Sequence, residues 1–276
     1  MRVGIVGLGL IGGSMGLCLK KTKIVSSIVG YDINKQNEED ALNLGLVGSI
    51  MDIEDMKKKC DIIFLAVPVE AIIKITQSFG DIDENLTIVE LGSTKVEILS
   101  NVPRAIRKNF VAAHPMSGTE FSGPMAAKDD LFKDAVMVLC DMEQNSEIHR
   151  RRIVEIASHI GMKIVFMSAT EHDHHAAIIS HITHVISFSL ANSVMKEEDI
   201  KHILALRGGS FSDMIRTAKS SPEMWSDIFK QNSENILFAI NMFRKELDIC
   251  ENLIKHKKWD ELRNWMSEAR KIREIL

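Results

Sequence analysis

The chain has 276 residues, 45% of them hydrophobic, and a formal net charge of −4, which suits two modest domains with cores of their own and lacks the basic balance that nucleic acid requires. Its four cysteines, Cys18, Cys60, Cys140 and Cys250, are scattered with no CxxC pair, the usage of a reducing compartment. The first residues run straight into an apolar strand, and the purest apolar run, 62–69, is too short for a bilayer, so the expectation is a cytoplasmic chain with no signal peptide, membrane partner or nucleic-acid partner.

In chain order, residues 3–6 read as a short apolar strand, followed by Gly7, Gly9 and Gly12 in a GxGxxG turn, a helix, and a strand over 27–31 that ends in Asp32. Gly7 permits the tight turn, Gly9 lets the backbone approach a pyrophosphate, and Gly12 lets the new helix pack close to the sheet. The free N–H groups at the start of that helix, with Leu10 and Ile11, face the phosphates. Asp32, 20 residues after Gly12, is placed to accept both ribose hydroxyls. Its carboxylate would repel a 2′-phosphate, and Ile33, Asn34 and Lys35 bring no arginine, so NAD is the expected cofactor, with Lys35 the one group that favours NADP.

Further strands are expected at 62–67, 87–91, 110–113, 135–140 and 163–167. The first four strands are joined by stretches long enough for crossover helices, which predicts an α/β, doubly wound parallel sheet over residues 1–168. Ligands of such sheets sit outside the carboxyl ends of the strands. There the chain places Val67 and Pro68, then Ser93, Thr94 and Lys95, then His114 followed at once by Pro115. A neutral imidazole there can take the proton of a C–OH group that is losing hydride, which makes His114 the first catalytic candidate. Ser93 can hydrogen-bond the substrate hydroxyl and the imidazole, or cap the helix that begins near Lys95. The loop HPMSGTEFSG suits a polar ligand, and its Glu120 is a candidate for orienting that ligand and equally a solvated loop acid.

Strand signals stop after residue 168, and 169–276 reads as an all-α domain. Residues 176–195 are apolar on nearly every side, as in a helix buried by a partner, and the expectation is a homodimer built on this half. Ser221-Pro222-Glu223 is a helix start. Leu262, Trp265, Met266, Ala269, Ile272 and Leu276 form one face of a last helix. His172, His174, His175, His181 and His184 cluster, but with no HExxH pattern or cysteine partner no metal site is expected; one or two of them are candidates for hydrogen bonds to a substrate. Asp213 and Arg216, three residues apart, can hold a guanidinium ready for a carboxylate. Trp225 is a candidate wall of the site or of the dimer seam.

Taken together, GLGLIGGS at the glycine turn, AVPV, GSTK, HPMSGTEFSG, EHDHHAAIISHITH and GGSFSDMIRTAKSSPEMW resemble the prephenate/arogenate dehydrogenase family over almost the whole chain. The resemblance implies NAD-dependent oxidative decarboxylation of prephenate, or of arogenate with its amino side chain, in tyrosine biosynthesis. It implies that His114 takes or polarises the hydroxyl proton, that Ser93 contacts the hydroxyl, and that Arg216, with Asp213 nearby, binds a substrate carboxylate. It further implies that His184 or His172 and Thr119 contact substrate and that Trp225 closes the pocket. Glu90 stands where an aspartate is usual, Ile182-Thr183 replaces Leu-Pro, and Ser212 stands where a basic residue is usual. With the chain ending at Leu276, tyrosine feedback, if present, is expected to act at the active site itself. On the residues alone two other readings stay open: a β-hydroxyacid dehydrogenase or imine reductase of the same plan, with its lysine or acid on the interdomain helix, and a non-enzymatic NAD-sensing scaffold.

Overall fold

The computed structural model describes residues 1–275; Leu276 of the predicted last-helix face lies outside the described residues. Strands β1 (Arg2–Val6), β2 (Ser27–Tyr31), β3 (Ser49–Ile50), β4 (Ile62–Leu65), β5 (Thr87–Glu90), β6 (Phe110–Pro115), β7 (Val136–Cys140) and β8 (Lys163–Met167) form one sheet in the order β3-β2-β1-β4-β5-β6-β7-β8. The first six strands are mutually parallel. Between them run α1 (Leu10–Lys20), α2 (Lys35–Asn43), α3 (Ile53–Lys59), α4 (Val69–Gln77) and α5 (Val96–Asn101); α6 (Glu147–His159) joins β7 to β8.

The sheet is covered on both faces, and its strands show how. Ile62 and Phe64 point to the face packed by Met15 and Leu19 of α1 and by Ile153 and Ile156 of α6. Ile63 and Leu65 point to the other, against Met56, Ile72 and Ile98 of α3, α4 and α5. A strand buried on both sides reads as a continuous apolar run, which is why β4 stands out in the sequence.

Three strand features depart from expectation. The two residues of β3 are too few to leave a periodic signal. β7 runs antiparallel to β6, because the chain returns from β6 through the 116–135 loop with only a short 3₁₀ turn in it, not through a crossover helix. That partner also lengthens β6: His114 pairs with Val138 and Pro115 with Met137, so His114 lies within the strand, not after it.

Beyond Ser168, whose hydroxyl and Glu171 form a reciprocal cap, the chain is helical: α7 (Ala169–Ala176), α8 (Ile182–Glu197), α9 (Ile200–Leu206), α10 (Gly209–Met214), α11 (Pro222–Gln231), α12 (Ser233–Lys255) and α13 (Trp259–Ala269). Ser221 caps α11 through the Met224 N–H. A π-helical turn, Ala177–His181, joins α7 to α8, so 169–197 is one helical run of 29 residues, long and apolar enough by composition to cross a bilayer. Here it packs instead on α12 and on the 3₁₀ turn Arg216–Lys219. The run expected to be buried is largely open within one chain: only Ile182 and Ser187 of α8 are buried. Val185, Ile186 and Leu190 line an apolar groove with Ile240, Phe243 and Leu247 of α12. No residue of α9 or α10 is buried.

Candidate active site

The glycine turn is built for close approach. Gly7 has φ +90°, and a Cβ on it would lie 2.7 Å from Val67 Cγ1. A Cβ on Gly12 would collide with the Gly7 carbonyl oxygen. At Gly9, by contrast, a Cβ would meet nothing nearer than the Gly123 nitrogen at 3.9 Å: the space is open, as a pyrophosphate against the backbone needs. Gly9 caps α1 without a side chain, which leaves the first N–H groups to a ligand. The nearly buried Asp32 accepts the Leu8 N–H at 2.8 Å and the Asn34 N–H at 2.9 Å; each oxygen retains a lone pair for a hydroxyl. Lys35 is occupied by Glu38 at 2.8 Å. Half-buried Val67 and exposed Pro68 lie at the start of α4, beside the glycine turn. These residues fit a dinucleotide.

A second group of polar side chains meets at the carboxyl end of β6. His114 is partly exposed, and its Nδ1 lies 2.8 Å from Nε2 of buried His172. His172 Nδ1 in turn lies 2.8 Å from Asp173 Oδ1. Asn232 donates to the Asp173 carbonyl at 2.7 Å and lies 3.2 Å from His181 Nδ1. His181 meets the edge of Trp225 at a ring separation of 5.9 Å, and Trp225 stacks on His184 at 3.4 Å. Arg216 approaches Glu120 of the 116–123 loop at 3.7 Å. Thus His114, His172, His184, Trp225 and Arg216, picked from three separate motifs, fall in one connected cluster. His175 is exposed, and His174 packs on Phe238 outside it.

Electrostatics keep the imidazoles neutral. Burial first, then the repulsion that His172, Lys95 and His181 exert in their charged forms, pushes His114 well below its ordinary value. Burial pushes His172 down against the pull of Asp173, and His181 down to about 4. Burial and the nearby Arg216 guanidinium lower His184, against a hydrogen bond to the Ser180 carbonyl.

Several expectations need correcting. Lys95 does not reach the crevice. It is fully buried, pairs with the equally buried Glu90, and donates to the Ala113 carbonyl at 2.7 Å. Ser93 is half-exposed and makes no hydrogen bond to His114 among the described residues. Nor does it cap α5: Asp173 does, taking the Lys95 and Val96 N–H groups at 2.8 and 2.9 Å. Asp213 makes no ion pair with Arg216 among the described residues, because α10 ends at Met214 and the chain changes to a 3₁₀ turn; Glu120 takes that place. Thr119 turns its hydroxyl to the Phe121 N–H at 3.3 Å. Asp173, Asn232, Glu90 and the buried role of Lys95 left no usable signal, since each depends on contacts across elements.

The family model described as the prephenate dehydrogenase nucleotide-binding domain matches residues 15–166, and that of the prephenate dehydrogenase dimerization domain matches 168–268. A prephenate dehydrogenase of Bacillus subtilis (strain 168) is 30% identical, over 99% of this chain and 75% of that one. The crystal structure of A. aeolicus prephenate dehydrogenase, in complex with hydroxyphenyl propionate and NAD+, superposes with a TM-score of 0.91 at 29% identity, over 99% and 97% of the two chains. Synechocystis arogenate dehydrogenase superposes with a TM-score of 0.79 at 25% identity, over 99% of each chain.

The depressed imidazoles make stability pH-dependent. A histidine that titrates near 6.5 in the unfolded chain and lower in the fold binds a proton on unfolding, so its contribution is complete above about pH 6.5 and is lost as pH falls towards the folded value. For His181 the window runs from about 6.5 to about 4. Glu90, pushed up to about 7 by burial, works in the opposite sense over much of that window, so the informative quantity is a difference between two chains. The thermal midpoint of His181→Asn is expected to fall less steeply than that of the parent between these limits; equal slopes would clear His181 as a source.

Proposed function

The chain belongs to the prephenate dehydrogenase family, and from that premise we propose that it catalyses the NAD-dependent oxidative decarboxylation of prephenate to 4-hydroxyphenylpyruvate in tyrosine biosynthesis, as a cytoplasmic homodimer. Residues 1–168 bind the cofactor, through Gly7, Gly9, Leu10, Ile11, Gly12, Asp32, Val67 and Pro68. Residues 169–276 complete the substrate site and pair with a second copy. The observation that carries the reading is His114: a partly exposed imidazole near the carboxyl end of β6, where this fold opens its ligand crevice, in surroundings that disfavour its charged form.

NAD+, when bound, accepts the hydride leaving the ring carbon that bears the 4-hydroxyl. His114 takes the proton of that hydroxyl and returns it to the phenolate oxygen once the ring is aromatic. Departure of the ring carboxylate as CO₂ leaves its bonding pair to aromatise the ring, so the chain need not stabilise a carbanion heavily and works chiefly by positioning. Ser93, half-exposed on the loop after β5, hydrogen-bonds the hydroxyl. Arg216 holds a substrate carboxylate, with Glu120 fixing the guanidinium while the site is free. His184, stacked on Trp225, contacts the substrate side chain with Thr119, and His172 acts through His114. Asp213, exposed on α10, contributes only in a site completed by closure or by a second copy. Arogenate in place of prephenate needs the same chemistry.

Incubating the chain with NAD+ and either substrate, and following absorbance at the nicotinamide band, tests the reading. Prephenate is expected to give the higher kcat/KM; reduction with neither would sink it. His114→Asn is expected to lower kcat by roughly 10²- to 10⁴-fold with little change in KM, and a fully active variant would move the base elsewhere. Arg216→Ala is expected to raise KM roughly tenfold, the worth of one charge-assisted hydrogen bond at a half-open site; an unchanged KM would shift carboxylate binding to another residue. For the assembly, the apolar groove between α8 and α12 calls for a self-complementary partner. Sedimentation is expected to give a dimer that Leu190→Asp dissociates, and a monomer at all concentrations would refute it.

A further inference from the structure

Asp173 has no place in the assignments above, yet three contacts converge on it. It is 2% exposed. Its Oδ1 accepts the Lys95 N–H at 2.8 Å and its Oδ2 the Val96 N–H at 2.9 Å, while Oδ1 also lies 2.8 Å from His172 Nδ1. With both oxygens accepting backbone protons, the carboxylate is an acceptor on every side, so the proton of the third contact belongs to His172 Nδ1. A neutral imidazole carries one N–H, and His172 Nε2 is therefore a bare lone pair. The 2.8 Å contact between that nitrogen and His114 Nδ1 needs one proton, which only His114 can supply. His114 is left with Nδ1 protonated and Nε2 bare.

We propose that Asp173 is a positioning residue that sets, through His172, the tautomer of His114 in which Nε2 is free to take a proton. The inference rests on the reading of His114 as the base. If His172 were released from Asp173, its proton could move to Nε2. The contact with His114 would then reverse, His114 Nδ1 would become the acceptor, and its proton would lie on Nε2, where nothing more can be taken up. A carboxylate that fixes an imidazole tautomer is a known way of arming a histidine base; here a second imidazole carries the constraint. Asp173 lies on α7 of the helical half and caps α5 of the nucleotide-binding half, so the base is armed only when the two halves are docked.

Long-range 1H–15N correlation on the full chain, labelled at histidine and free of ligand at a pH above 7, reads the tautomers directly. His114 and His172 are both expected with protonated Nδ1 and bare Nε2; a protonated Nε2 on His114 overturns the proposal. In Asp173→Asn the amide can donate as well as accept. His114 is then expected to shift towards the Nε2–H tautomer, and kcat to fall by roughly 10²- to 10⁴-fold with KM within about twofold. Unchanged tautomers with parental kcat overturn it. His172→Gln keeps the Asp173 cap on α5 while cutting the relay, and the same fall in kcat is expected at a parental thermal midpoint; parental kcat in that variant overturns the proposal even where Asp173→Asn fails to fold. Full activity in His114→Asn would sink the base reading and leave the measured tautomer standing, so the two failures are distinguishable.

Discussion

Lys95 and Glu90 are both fully buried, and charges are tolerated there only where partner and hydrogen bonds are supplied together. The supply comes from three neighbouring segments. Glu90 ends β5 and takes the Gly92 N–H at 2.8 Å on its second oxygen; Lys95 follows the loop and reaches the Ala113 carbonyl of β6. One ammonium thus ties the end of β5, the loop after it and the residue before His114. Its charge also faces the imidazole pair and disfavours a second positive charge on either ring. Lys95 thus helps to set the geometry of the candidate base and, after burial and His172, adds to what disfavours its charged form.

The same loop joins the two halves of the chain. Ser93 is left open to the crevice, Thr94 donates to Gln231 at the end of α11 at 2.8 Å, and the N–H groups of Lys95 and Val96 are held by Asp173 of α7. Outside the loop, Glu70 of α4 meets Lys230 of α11 at 2.8 Å, an exposed pair of small worth. The contacts of Thr94, Lys95 and Val96 are buried or partly buried and matter more, the Lys95 N–H most, because breaking its bond to Asp173 would strand a polar group away from water. They seat α11, with Trp225 in its first turn, against the nucleotide-binding half. The two halves are thus joined along a seam that satisfies its own hydrogen bonds.

Some of this was legible along the chain. The glycine turn, the apolar strands, Asp32 and the capped start of α11 are local patterns, each set by backbone conformation or by period. His114 was legible because strand ends deliver ligand-binding groups in this fold class, even though the antiparallel β7 carries the strand past it. Lys95 was misjudged for a related reason: GSTK reads as a polar loop, and only the presence of Glu90 beneath it allows the ammonium to turn inward. Asp213 was misjudged because a helical spacing holds only while the helix lasts, and α10 stops one residue after it.

Residue order alone therefore determined the cofactor half, the break to an all-helical half and the identity of the histidine on β6, since these depend on contacts between near neighbours or on a repeating period. Tertiary structure decided which face of each polar side chain is used: that Asp173 and not Ser93 caps α5, that Glu120 and not Asp213 meets Arg216, and that His172 stands behind His114. Those choices join residues 58 to 96 positions apart, and no local rule couples such positions. They are made when burial forces each polar group to find a partner across elements.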